Sequence, residues 1–345
     1  MCDLCLSRRE FVTILAAASG SAMLPVSGAL GQTKPYRIDV HYHHIAPAWI
    51  GEEAVAKTLP ELVIRQAREW TPARAIEDMD RNSVATVVCS VSNPGIWFGD
   101  VEQSRRLARE CNEYAARIGR DHPGRFGQFA SLPLPDTDGS LKEIAYAFDV
   151  LKADGVGLFT SYGDKWLADA AFAPVFEELN RRKAVVYVHP IAPACCRNLI
   201  PGIPAAVIEY PIDTTRTILH WIMAKSVARY PDIRMIFSHA GGLMMAGVGR
   251  LSILIQTQAP LRQRMPESLP AELGKLYYEI SSSSDPVTMA ALRALIPAQH
   301  ILLGTDSPFG PMSPTIDQLL KLELPQKELR AIERDNAVAL MPRLG

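Results

Sequence analysis

The chain has 345 residues, 36 Lys and Arg against 37 Asp and Glu, a formal net charge of −1 and 48% hydrophobic residues. This near-balance excludes the bulk positive charge of a nucleic-acid or membrane-surface binder, while the apolar fraction is ample for a large core. Six cysteines without a framework spacing exclude a small disulfide-stapled fold.

The N-terminus reads as a leader. Ser7-Arg8-Arg9-Glu10-Phe11-Val12 places paired arginines before an apolar run, Val12 to Ala17, and small residues follow near Ser27 to Gly31. That order is the twin-arginine export pattern. Gly20, Pro25 and Gly28 break the run, which is too short for a membrane span of about 20 apolar residues. We therefore expect residues 1–31 to be a signal peptide and the protein to be exported to the periplasm. Residues 35–345 are expected to form one domain, soluble once the leader is gone. Cys2 and Cys5 precede the arginines and leave with the leader.

Strand and helix signals then alternate. The strands are expected at Arg37–His44, Ala85–Val91, Phe126–Leu134, Gly155–Thr160, Ala184–Pro190, Ile233–His239, Leu276–Ser281 and His300–Ser307. Helices are expected near Thr71–Arg81, Val101–Gly119, Gly139–Lys152, Ala171–Arg182 and Asp213–Tyr230. Short, continuously apolar strands suit a parallel sheet buried on both faces. Eight such units fit an α/β fold of the (β/α)8 TIM-barrel type. An open doubly wound sheet is the alternative, but no Gly-rich phosphate turn follows the first strand. The segments Ala46–Glu69 and Cys195–Pro211 are expected as loops over the barrel mouth. Cys89 and Cys111 are expected as buried small apolar residues. Cys195 and Cys196 are expected near the pocket, unpaired, because a disulfide between neighbours is strained.

Polar residues gather where these strands end. His41 and His43 close strand 1, His189 strand 5, His239 strand 6 and Asp306 strand 8. The C-terminal strand ends of a barrel surround one mouth, where active sites lie. Three imidazoles (His41, His43, His189) and the Asp306 carboxylate suit one divalent transition ion, zinc first and manganese as the alternative. His239 is the spare imidazole, placed for acid/base work. His44, His122, His220 and His300 are read as structural or surface residues.

These residues resemble the amidohydrolase superfamily, in the branch of aminocarboxymuconate-semialdehyde decarboxylase. Asp39-Val40-His41-Tyr42-His43 matches its first-strand D-x-H-x-H, Ser238–Gly242 its S-H-x-G-G and Gly304-Thr305-Asp306 its G-T-D. His189 matches its strand-5 histidine. Asn112, Pro123–Phe126 and Leu132–Leu134 extend the likeness over most of the chain. Within that branch, Ser92–Asp100, Gly157–Gly163 and Pro211–Arg216 look most like 6-methylsalicylate decarboxylases.

The resemblance implies a metal-dependent, non-oxidative decarboxylase of a small aromatic hydroxy acid, with His239 or Asp306 as acid/base. A hydrolase of an ester, lactone or amide, working through metal-activated water, is the alternative on the same fold. Two-metal members carry a strand-4 lysine. Here that position reads Phe159-Thr160-Ser161-Tyr162, with Lys165 beyond, so one ion is expected. Arg216, with Arg65 and Arg68 as alternatives, is expected to bind the substrate carboxylate. Trp97, Phe159 and Ser307 are expected to contact the substrate. The sequence is compatible with a homodimer without fixing the oligomer.

Overall fold

The computed structural model describes residues 35–197 and 199–345. The expected leader lies outside the described residues. Eight parallel strands form the centre: β1 Arg37–His43, β2 Val84–Ser90, β3 Phe126–Ser131, β4 Gly155–Phe159, β5 Val185–His189, β6 Arg234–Phe237, β7 Tyr277–Glu279 and β8 Ile301–Leu302. They pair in chain order. The ring closes through the residues just past β8. The Leu303 carbonyl accepts from Val40 N–H at 2.9 Å, Asp306 N–H donates to His41 O at 2.8 Å, and Ser307 bridges Tyr42. The barrel expected from the alternation is thus present, although β8 itself is shorter than its apolar run.

The helices start where their caps permit. Thr71 accepts from Arg74 N–H ahead of α1, Pro72–Arg81. Asp100 accepts from Gln103 N–H ahead of α2, Val101–Asp121. Asp136 accepts from Gly139 N–H ahead of α3, Thr137–Tyr146. These side chains satisfy amide groups that have no partner within the helix. Helix α2 turns Leu107, Ala108, Cys111, Ala115 and Ile118 inward, the spacing of an apolar stripe. Four longer helices follow: α4 Ala173–Arg181, α5 Glu209–Met223, α6 Met244–Thr257 and α7 Pro286–Leu295. Helix α8, Ser313–Lys321, comes after the strand-8 segment. No described helix is long and apolar enough to cross a membrane.

One apolar cluster joins Ile38, Val88, Phe129, Tyr187, Ile236 and Leu302. Six different strands contribute, so this cluster fills the barrel interior. Met341 and Leu344 join it, and Glu333 pairs with Arg37 at 2.7 Å where β1 begins. The C-terminal segment therefore stops the end opposite the histidines. Each large apolar side chain so buried contributes roughly 1.5–3 kcal/mol.

Two expectations need correction. The stretch from Ala46 to Glu69 is not irregular: it contains three short helices, Pro47–Ile50, Glu53–Thr58 and Glu61–Arg68. Trp49, Val55 and Ile64 bury against Leu107 and Cys111 of α2, an anchorage that spacing alone did not reveal. Cys195 and Cys196 are joined in a disulfide; they lie in a single 3-10 turn, Ala194–Cys196. Cys89 and Cys111 are free and buried.

Candidate metal centre and active site

Each expected metal donor arrives at the same point. The Nε2 atoms of His41 and His43 are 3.1 Å apart. Asp306 Oδ1 lies 3.1 Å from the first and 3.0 Å from the second. His189 completes a group whose four donor atoms all fall within 4.8 Å of one another. Alternation along β1 brings the two histidines together but not Asp39. The pairing register with β2 shifts between Asp39 and Tyr42, the mark of a bulge, which re-aims side chains. Asp39 instead accepts from Thr305 Oγ1 at 2.5 Å and from Thr305 N–H at 3.1 Å. It ties β1 to the strand-8 segment.

The other ring nitrogens are engaged by the protein. His41 Nδ1 lies 2.8 Å from Glu279 Oε1, His43 Nδ1 3.2 Å from Ser90 Oγ and His189 Nδ1 2.8 Å from the Pro190 carbonyl. An Nδ1–H held by an acceptor leaves the Nε2 lone pair free for a metal. Two ring nitrogens and a carboxylate oxygen thus converge on one point. Ligands at 2.0–2.2 Å from a tetrahedral ion lie about 3.3–3.6 Å apart, so His41, His43 and Asp306 need open by only a few tenths of an ångström. The residues fit one divalent ion. Lys165 pairs with Asp164 on an exposed hairpin and takes no part.

Electrostatics agree with this reading. Burial lowers the His41 pKa, but the charges of Glu279 and Asp306 overcome it and raise the value to about 10. The cluster attracts positive charge at that ring. Burial holds His43 and His189 below their ordinary value, which keeps them neutral, as metal ligation requires. Burial works against the Asp306 carboxylate, yet the His41 charge keeps it ionised, well below the usual carboxylate range.

His239 stands beside this group rather than in it. Its Nε2 is 3.8 Å from Asp306 Oδ2, too long for a hydrogen bond. Its Nδ1 lies 3.0 Å from the Ser281 carbonyl, so Nε2 is the atom left for proton exchange. His41 also belongs to a second group with His239 and Glu279. It meets Glu279 through Nδ1, leaving Nε2 to the four-donor set. The backbone here is unusual: φ is 52° at His239, 53° at Ala240, 77° at Gly241 and 67° at Gly242. A Cβ on Gly242 would strike the Pro211 carbonyl. The paired glycines of the S-H-x-G-G motif are therefore demanded by the turn that presents His239. Asp306, at φ 64°, is likewise in the left-handed region, where strain collects at functional sites.

The walls around the donors are aromatic. Phe159 stands 5.9 Å from His189 between ring centroids, Tyr210 6.4 Å from His189 and Phe309 5.5 Å from His43. Burial raises the Tyr210 phenol, so it stays protonated and able to donate. Phe159 is where a substrate-contacting residue is expected. Ser307 is buried, and its carbonyl accepts from His43 N–H at 2.8 Å, so it serves the barrel closure. Trp97 is half-buried after β2. Arg216 donates to buried Asp213 and lies over the Trp166 ring at 5.4 Å, which gives it a protein partner. Arg65 and Arg68 are exposed on the helix Glu61–Arg68. Sequence reasoning missed Glu279, Tyr210 and Phe309. Only Glu279 carries a signal: it is a lone charge between Tyr278 and Ile280 in an apolar strand. His44 is structural, stacked on Tyr114 with ring centroids 5.9 Å apart.

The decarboxylase yanB of Aspergillus niger is 36% identical over 326 residues, covering 89% of this chain and 88% of that protein. The 6-methylsalicylic acid decarboxylase of Penicillium expansum is 34% identical over 316 residues, covering 89% and 97%. Among solved structures, the 5-carboxyvanillate decarboxylase of Novosphingobium aromaticivorans, complexed with manganese and 4-hydroxy-3-methoxy-5-nitrobenzoic acid, superposes with a TM-score of 0.80 at 17% identity. That match covers 90% of this chain and 97% of that one. With residues 38–343 matching the amidohydrolase family model, the chain belongs to the amidohydrolase family.

Proposed function

We propose that the protein decarboxylates a small aromatic hydroxy acid, of the 6-methylsalicylate or γ-resorcylate kind, without oxidation. The observation that carries this reading is His239: a free imidazole Nε2 beside, but outside, a His3Asp metal group in an aromatic-walled mouth. The named activities of the relatives support it. A bound divalent ion would supply a Lewis acid for the substrate carboxylate and its neighbouring phenol oxygen. His41, His43, His189 and Asp306 would hold it.

The chain's own residues do the rest. Phe159, Phe309 and Tyr210 offer apolar ring surface that keeps water from the substrate ring. Protonated His239 delivers its Nε2 proton to the ring carbon that bears the carboxylate. The carbon–carbon bond then breaks, its electron pair restores the aromatic ring, and CO2 leaves. One proton is consumed for each CO2 released, and no oxidant or organic cofactor is involved. Ser281, accepting at Nδ1, keeps His239 oriented through the transfer.

We further propose one ion per chain. The N3O donor set suits zinc. Manganese, which the 5-carboxyvanillate decarboxylase structure carries, is the alternative that elemental analysis decides. We also propose periplasmic export through the paired arginines. The test of the activity is to incubate metal-loaded protein with a panel of hydroxybenzoates and lactones, recording CO2 and acid release separately. Equimolar CO2 and decarboxylated arene are expected. Acid release without CO2 would place the protein with the hydrolases instead.

A further inference from the structure

Glu279 ends β7 and has no exposed surface. A buried carboxylate is costly unless its oxygens are paired and hydrogen-bonded, and here they are. Oε1 lies 2.8 Å from His41 Nδ1 and accepts from His239 N–H at 2.8 Å. Oε2 accepts from Ser281 N–H at 2.6 Å. The neighbouring strand segment leaves room for this group. A Cβ on Gly304 would strike Oε2 and lie 2.7 Å from His41 Cβ. The glycine of the G-T-D motif is therefore the cavity in which the carboxylate sits.

One oxygen thus touches both halves of the centre, the ring of a metal donor and the backbone of the acid/base residue. We propose that Glu279 is a positioning residue that couples them. It holds His41 with its proton on Nδ1 and its lone pair on Nε2, and it clamps the N–H of His239 so that the left-handed turn presents that ring beside Asp306. The carboxylate neither faces the substrate nor belongs to the four-donor set. Partners of this kind typically change metal affinity or activity 10–100-fold. The His239 half rests on the decarboxylase reading; the His41 half does not.

The experiment uses the full mature chain with Glu279→Gln, which keeps shape and removes charge. Glu279→Asp, which keeps charge and withdraws the oxygens by one carbon, covers the case in which the first variant does not fold. Zinc affinity is measured by competition with a chromophoric chelator, without substrate. Hydrogen exchange is followed at the His239 amide, and kcat is measured at saturating zinc across pH. A folded variant is expected to bind zinc about 10–100-fold more weakly, to lose protection at that amide, and to keep a kcat deficit and an altered pH profile even when zinc is saturating. Wild-type zinc affinity in a folded variant would overturn the His41 half. Full recovery of kcat and pH profile at saturating zinc, with the amide still protected, would overturn the coupling to His239. If no substrate is ever turned over, the zinc and exchange arms still decide the proposal, so its failure is distinct from that of the decarboxylase reading.

Discussion

Replacing His239 and Asp306 separately by asparagine divides proton transfer from metal binding. His239 has no bond to the donor set: its Nε2 is 3.8 Å from Asp306 Oδ2, and its ring centroid is 5.0 Å from that of His41. Its anchor is the Ser281 carbonyl at 3.0 Å, which an asparagine amide can also approach. His239→Asn should therefore fold and keep its ion. It loses the ring nitrogen that the proposed mechanism uses for proton transfer, so turnover should fall on the order of 10²–10⁴-fold, a barrier rise of about 2.7–5.4 kcal/mol. Asp306 differs because a single oxygen sits 3.0–3.1 Å from two imidazole nitrogens. Asp306→Asn removes the charge that offsets the cost of gathering them. Metal affinity should drop by more than the 10–100-fold typical of outer partners, and activity should fall with it. The assay is metal content after gel filtration, set beside CO2 release at saturating metal. Loss of the ion from His239→Asn would make His239 a ligand and refute the division of roles. Retained ion with full turnover would make it structural.

Three further outcomes are expected. Gly242→Ala combines a positive-φ backbone (φ 67°, ψ −123°) outside the left-handed helical well, costing on the order of 1–3 kcal/mol for a residue with a Cβ, with a collision at the Pro211 carbonyl, an overpacking of roughly 1–3 kcal/mol; thermal melts should show the loss, and an unchanged melting temperature would contradict the turn geometry. Arg181 and Arg182 hold the Glu178 carboxyl down from 4.5 to about 2. A depressed pKa contributes stability above pH 4.5 that is lost as pH falls towards 2. Glu178→Gln should therefore melt lower than the parent at pH 7, with the gap closing below pH 4.5; a gap independent of pH would count against the ion pairs. Changing Arg8 and Arg9 both to Lys should retain unprocessed protein in the cytoplasm, and unchanged periplasmic yield on fractionation would count against export by this route.

Much of the site could be read from the chain because it is written at strand ends. The apolar runs located all eight strands, and His41, His43, His189 and Asp306 follow them as the barrel rule requires. What could not be read depends on adjacency across the ring. Glu279 matters because Gly304, just past the next strand, leaves it a cavity, and neither residue announces the other. Asp39 shares the alternating face of His41 and His43 along β1, yet its carboxylate is bonded to Thr305 across the closure. Trp49 and Val55 anchor the Ala46–Glu69 stretch through contacts with α2, which local periodicity does not contain. Tyr210 and Phe309 reach the histidines from loops and a helix start, where no period marks a side chain's direction.

The barrel closes between its first strand and the segment after its last, and three of the four donors, His41, His43 and Asp306, straddle that seam. His43 and Asp306 are 263 residues apart in the chain. Contacts of such separation form late, once loop-closure entropy has been met by the intervening strands. A bound ion would therefore work as a clasp on a hoop, because no unfinished chain can present its full donor set. At 100 times its dissociation constant, a ligand of the folded form alone adds about 2.7 kcal/mol of stability. Metal occupancy becomes a report on completeness. Chains cut short of Asp306 forgo the clasp, and starvation for the ion should first loosen the join between β1 and the segment that follows β8.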